Sequence, residues 1–262
     1  MIDNLPWLTV AALCVAALAA GWIDSVVGGG GLIQLPALLV GLPSATTVAT
    51  VSGTNKLSSV AGTAMATGTY LPKVRVSWPT TIAMVAAAFG GSTVGAHLIQ
   101  YFSRAVFLPL TVVVVAGVGL YTWRRPQLGL ATNLKHDGAA HWLLAIALGA
   151  VVGLWDGLIG PGTGVFFVIG LVTLLGYEFL ESTTMAKLAN FATNVAALIV
   201  LGSTGHILWA IGGCMAACNL TGSALGSRMA IRFGNSFIRT VFLIAIVLIE
   251  ITLIVQTIRL FV

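Results

Sequence analysis

Apolar runs of about twenty residues, the span of a bilayer core, recur from one end of the chain to the other, separated by short polar stretches. They predict helical segments at 5–27, 30–42, 46–69, 78–101 and 106–123, a polar linker at 124–140, and further segments at 141–159, 165–176, 183–202, 208–231 and 236–261. Surface helices of a water-soluble helical protein carry a polar stripe; most of these segments have none. The segments at 30–42 and 165–176 are too short to cross easily, so two arrangements stay open: each crosses, or each pairs with the segment before it as a re-entrant hairpin; either keeps the count of crossings per half odd. The pattern describes an all-α polytopic membrane protein with roughly eight to ten membrane segments, some broken or re-entrant.

Two stretches interrupt the pattern. Gly28, Gly29, Gly30 and Gly31 follow the first run, and each glycine costs about 1 kcal/mol relative to alanine in a helix interior. Four residues before them stands Asp24, in a chain with only 7 acids among 262 residues. The same pattern returns as Gly153, Asp156, Gly160, Pro161, Gly162, Thr163 and Gly164. These read as two copies of one broken-helix site.

A duplication underlies the two copies. Asp24 and Asp156 stand 132 apart; Lys56 and Lys187, Trp78 and Trp209, and the Gly91–Gly95 and Gly222–Gly226 motifs stand 131 apart. A constant offset through a lysine and a tryptophan is not a by-product of glycine-rich composition. The expected organisation is a first membrane repeat at 1–123, a cytoplasmic linker at 124–140 and a second repeat at 141–262. Basic loops mark the cytoplasmic side. Lys73 and Arg75, the linker with Arg124, Arg125 and Lys135, and Arg228, Arg232 and Arg239 then lie inside. That requires an odd number of crossings per half, so the repeats are inverted, as in many secondary transporters.

Composition agrees with lipid rather than water: 58% of residues are apolar, mean hydropathy is +1.03, and 7% are charged, against about 25% in soluble domains. The net charge of +5 sits mainly in loops, where it sets topology and gives no nucleic-acid reading. Cys14, Cys214 and Cys218 read as small buried residues; their spacing supports no zinc site, and no metal or cofactor is expected. The N-terminal run lacks a basic leader, its only charge being Asp3, and reads as a retained membrane segment.

Non-helical backbone at membrane depth survives only where protein or a water-filled cavity supplies its hydrogen bonds. Gly28 to Gly31 and Gly160 to Gly164, with Gly160, Gly162 and Thr163 as candidate binding residues of the second stretch, are therefore expected to line an interior cavity, toward which a restarting helix points free N–H groups and a positive dipole end. Lys56 lies well inside its segment and Lys187 near the start of the matching one; buried charges pair or work. Lys187, Asn190 and Asn194 share a helix face, as do Lys56, Ser59 and Thr63, with Asn55 beside them. Such faces could hold an anion between two ammonium groups, or each lysine could neutralise an aspartate as a structural ion pair. Asp24 and Asp156 could carry a coupling proton or cap the restarting helices. The Gly91/Gly95 and Gly222/Gly226 pairs suit close helix packing instead.

The set Gly21-x-x-Asp24-x-x-x-Gly28-Gly29-Gly30-Gly31-Leu32-x-x-x-Pro36, Asn55-Lys56-Leu57, Gly153-x-x-Asp156-Gly157-x-x-Gly160-Pro161-x-x-Gly164 and Ala186-Lys187-Leu188-x-Asn190 resembles the sulfite exporter TauE/SafE family, the TSUP permeases, and within it the YfcA-like branch. The resemblance spans both halves. It implies a multi-pass carrier of the bacterial inner membrane whose substrates are small sulfur-containing or organic anions such as sulfite, thiosulfate or sulfonates. Thr163 stands where many relatives would show a small residue, which hints at specificity. The function expected is a secondary transporter of small oxoanions, working by alternating access between the repeats. The competing readings are an anion channel with the same site and a membrane-embedded enzyme. The four histidines form no HExxH motif and the chain has no GxSxG, which disfavours the enzyme. The expected partners are a small anionic solute and the bilayer, with no nucleic acid; a homo-oligomer is left open.

Overall fold

The computed structural model describes residues 5–43, 45–99, 129–158 and 160–261. The predicted segment at 106–123 and the first residues of the linker lie outside them. The described residues form eight helices and no strand: α1 (Trp7–Val27), α2 (Gly31–Gly41), α3 (Val48–Tyr70), α4 (Trp78–Leu98), α5 (Gly138–Leu158), α6 (Thr163–Gly170, continuing as a π-helical turn over Leu171–Leu175), α7 (Phe179–Ser203) and α8 (Trp209–Phe261).

Among the described residues, four helices are long and apolar enough to cross a membrane: α1, α4, α5 and α7. α3 has the length but not the composition, because Ser52, Thr54, Asn55, Lys56, Ser58, Thr63 and Thr67 are all buried on it. A helix polar on its buried side reads as weakly hydrophobic even though that side is packed inside the protein. α8 carries the last two predicted segments as one element, interrupted at Gly234 (φ 70°, ψ −162°). The polarity is that of a protein in lipid. Val15, Val40, Ile82, Val94, Leu143, Val151 and Ile199 face outward, whereas Lys56, Lys187, Asn55, Asn190 and Asn194 face inward. Trp7, Trp78 and Trp209 each open a helix and are exposed, as an interfacial aromatic belt requires.

Small residues set the packing. α4 lies on α5, where a side chain on Gly91 would strike the Ala150 carbonyl and one on Gly95 the Leu154 carbonyl. α8 lies on α1 in the matching way, with Gly222 against the Leu18 carbonyl and Gly226 against the Trp22 carbonyl. α3 and α7 occupy the interior. Ser92 of α4 donates to the Thr193 carbonyl of α7 at 2.8 Å, and Ser223 of α8 donates to the Gly62 carbonyl of α3 at 2.6 Å. The donors stand 131 apart, and so do the acceptors.

The chain at 129–137 is exposed apart from Gly129 but is tied to the helices by hydrogen bonds. Its Gly129 carbonyl takes the Phe179 amide at 2.7 Å, and the Asn133 amide donates to Gly176 at 2.8 Å. Lys135 reaches the Thr173 carbonyl at 2.6 Å. Glu181 of α7 accepts the Thr132 hydroxyl at 3.0 Å and the Ser77 backbone amide. Asn235, next to the Gly234 break, takes the Leu180 amide at 2.8 Å and donates to the Leu130 carbonyl at 3.1 Å. The linker, the α3–α4 loop and the α8 break therefore meet at one end of the molecule.

Three expectations need correction. Cys214 is exposed on the outer surface of α8, and Cys14 and Cys218 are partly so, not buried; a thiol is apolar enough to face lipid. α5 begins at Gly138, inside the predicted linker. α7 begins at Phe179, four residues before the predicted 183, so Lys187 is the ninth residue of its helix, as Lys56 is of α3. Glu178, Glu181 and Ser182 made this turn look too polar to be helical.

Candidate functional site

α1 stops because Gly28 adopts the left-handed conformation (φ 91°) and returns its N–H to the Asp24 carbonyl at 2.8 Å, the usual role of glycine after a helix C-terminus. α2 restarts at Gly31. In the second copy Gly160 (φ 87°) and Gly162 (φ 79°) turn the chain and α6 restarts at Thr163. The two breaks touch. The Val165 amide donates to the Gly28 carbonyl at 3.2 Å, and a side chain on Gly164 would collide with the backbone of Gly28. Only paired glycines allow this approach.

Each aspartate serves its own break and a lysine from the other half. Asp24 Oδ1 accepts the Gly30 amide at 3.2 Å, and its Oδ2 accepts Lys187 Nζ at 3.0 Å. Lys187 also donates to the Asp24 backbone carbonyl. Asp156 Oδ2 accepts Lys56 Nζ at 2.6 Å and its Oδ1 accepts the Thr163 hydroxyl at 2.7 Å. The ion pairs are therefore crossed: α3 to α5 and α7 to α1. They are not equivalent. The Asp156 side chain is 2% exposed and that of Asp24 14%.

Between the breaks lies a small polar cavity lined by Asp24, Gly28, Gly31, Asn55, Lys56, Ser59, Asp156, Gly160, Thr163, Gly164, Asn190 and Asn194. It has room for about one water molecule. Asn194 donates to Asn190 Oδ1 at 3.1 Å, and buried Asn55 Oδ1, an acceptor, has no hydrogen-bond partner.

Of the residues expected at the site, the structure gathers Gly28, Gly31, Asn55, Lys56, Ser59, Gly160, Thr163, Asn190 and Asn194 on the cavity, with Asp24 and Asp156. Five stand off it. Lys187 is behind Asp24, and Gly30 gives its amide to Asp24. The Gly29 carbonyl accepts the Leu32 amide at 3.1 Å. Gly162 faces Leu32 and Phe166. Thr63 turns its hydroxyl back to the Ser59 carbonyl at 2.8 Å. Gly164, expected with the rest of the second break to line the cavity though not named among the binding residues, lies on it. A second buried polar cluster lies elsewhere: His141 Nε2 sits 3.0 Å from the Tyr177 hydroxyl and 3.2 Å from that of Thr80. Nothing in its sequence spacing announced it.

An all-helical membrane protein with a polar cavity between two helix breaks belongs with solute-moving proteins rather than with receptors or scaffolds. Comparison with known proteins agrees. The family model for the sulfite exporter TauE/SafE matches residues 13–253. A probable membrane transporter protein, ORF9, of Sinorhizobium sp is 33% identical over 253 residues, covering 96% of this chain and 95% of that protein. The probable membrane transporter protein YfcA of Escherichia coli K12 is 33% identical over 238 residues, covering 90% of this chain and 86% of its own. A probable membrane transporter protein of Haemophilus influenzae is 35% identical over 233 residues, with 88% of each covered. The chain belongs to the sulfite exporter TauE/SafE family.

Proposed function

We propose that the protein is a secondary carrier of small oxoanions, of the sulfite, thiosulfate and sulfonate class, in the bacterial inner membrane. The observation that carries the reading is the convergence of two restarting helices, α2 and α6, and two crossed lysine–aspartate pairs on one small polar cavity. Backbone amides at helix starts and ammonium groups are the donors an oxoanion needs, and the glycines leave its oxygens room to approach. Asn55, Ser59, Asn190 and Asn194 supply orienting groups.

The reading of the fold is two inverted repeats. It is supported by the matched contacts of Gly91 and Gly222, the matched bonds of Ser92 and Ser223, and the crossing of the ion pairs. The gathering of the α3–α4 loop, the linker and the Gly234 break at one end gives the basic loops one common side, the cytoplasmic one. The cavity as it stands is too small for an oxoanion, so this is a constricted state. Binding then needs one repeat to rock against the other, which is alternating access.

The test is a thermal-shift screen of the purified protein against sulfite, thiosulfate, methanesulfonate and small carboxylates, with chloride as control. A ligand of the folded state raises stability by mass action. At least one oxoanion raises the melting temperature at millimolar concentration where chloride does not; a flat response to the whole panel contradicts the reading.

A further inference from the structure

The cavity is electrically neutral as built. Asp24, Lys56 and Asp156 line it, Lys187 backs it through Asp24, and the four charges cancel. An anion entering this arrangement adds an uncompensated charge inside the membrane, where isolated charges are strongly disfavoured. It also meets two ammonium groups already occupied by carboxylates. Both obstacles disappear together when one carboxylate takes a proton.

The two aspartates are not equally placed to do so. Asp156 is enclosed, with short bonds to Lys56 (2.6 Å) and to the Thr163 hydroxyl (2.7 Å). Asp24 is the more exposed, and its partners are more distant, 3.0 Å for Lys187 and 3.2 Å for the Gly30 amide. Lys187 has a second acceptor in the Asp24 backbone carbonyl, so it keeps a neutral anchor when the carboxylate loses its charge. No second acceptor of that kind holds Lys56 among the described contacts. The titratable groups that face Asp24 from the packed elements are Lys187 of α7, Lys56 and Tyr70 of α3 and Asp156 of α5. α2 and α6 carry none, and α8 turns Gly222, Gly226 and Met229 toward this part of α1.

We propose that Asp24 is the coupling carboxylate of the carrier, taking up one proton for each monovalent oxoanion bound. The proton comes from the medium and adds to the Asp24 carboxylate. The Lys187 ammonium stays charged on the Asp24 backbone carbonyl, and its charge, no longer cancelled by the carboxylate, offsets that of the anion from behind the cavity wall. The site passes from neutral to +1 and back to neutral, and the loaded carrier moves one proton with one anion. This rests on the oxoanion-carrier reading above.

Methanesulfonate is the probe, because it stays a monoanion across the pH range and contributes no titration of its own. Its apparent affinity, from thermal-shift titrations between pH 5.5 and 8.5, falls about tenfold per pH unit on the alkaline side for the wild type, the slope of one linked proton. It is flat for Asp24→Asn. In weak buffer with an indicator dye, near pH 8, wild-type protein takes up about one proton per anion bound. In proteoliposomes, the ratio of uptake with and without an inward proton gradient is several-fold for the wild type and about one for whatever flux Asp24→Asn retains. Should Asp24→Asn fail to fold, the wild-type slope and proton count decide alone. A wild type that binds methanesulfonate with no pH slope and no proton uptake overturns the assignment while leaving the carrier standing, as does an Asp24→Asn that keeps the wild-type slope. A wild type that binds no anion of the panel overturns both.

Discussion

Lys56 of α3 meets Asp156 of α5 at 2.6 Å, and both side chains are closed off from the surroundings. Removing one partner of such a pair leaves the other charge buried and alone, a loss of about 3–5 kcal/mol, whereas removing both together is often close to neutral. Lys56→Met is therefore expected to lower the unfolding temperature of the purified protein sharply. Lys56→Met/Asp156→Asn should recover most of it without restoring anion flux. Unfolding curves in detergent and flux in liposomes check the two halves of this statement. A double variant as unstable as the single one would mean that the pair is not the unit of stability.

The contact of the two breaks predicts a contrast between glycines. Gly164 has the backbone of Gly28 where a side chain would go, and Gly90 has nothing within 4 Å. Gly164→Ala must push the breaks apart and is expected to abolish flux. Gly90→Ala fills open space in a helix and should leave flux unchanged while raising stability by about 0.5–1 kcal/mol. Equal behaviour of the two variants would deny the close approach.

The Thr163 hydroxyl lies 2.7 Å from both Asp156 Oδ1 and the Gly160 carbonyl and shares its one proton between them. Thr163→Val keeps the shape but strands a buried carboxylate oxygen, a cost of about 1–3 kcal/mol, and should slow transport. Thr163→Ser retains the hydroxyl and should restore both. Measured melting temperatures of the pair decide whether the hydroxyl or the methyl matters.

Much of this was legible in the chain, for identifiable reasons. Glycine runs in a hydrophobic background mark helix breaks because the penalty is local, so the ends of α1 and α5 were readable to within a residue or two. The constant spacing pointed to both lysines and both aspartates. It could not say which lysine meets which aspartate, because crossing depends on how the halves pack. The helical face through Lys56, Ser59 and Thr63 was right in geometry, but Thr63 satisfies its hydroxyl within α3, a choice that periodicity does not encode. Lys187 shares a face with Asn190 and Asn194, yet its ammonium is drawn aside by Asp24. The early start of α7 was hidden by the acids around it, Glu178 just before the helix and Glu181 in its first turn, which bond Asn235 and the linker's Thr132.

The matched hydroxyls test the relation between the halves. Ser92→Ala and Ser223→Ala each leave one buried carbonyl with a lost donor, and each should cost about 0.5–1.5 kcal/mol. Similar costs, additive in the double variant as for separated sites, are expected from equivalent positions. A large loss at one and none at the other would separate the halves functionally.

The most direct measurement is counterflow exchange of radiolabelled sulfite, thiosulfate and methanesulfonate in proteoliposomes, comparing the wild type with Lys56→Met and Lys187→Met. The account predicts label accumulation by the wild type for at least one of these anions and a loss of at least tenfold in each lysine variant that is recovered folded. Wild-type exchange rates in both variants would place the path of the anion elsewhere in the molecule.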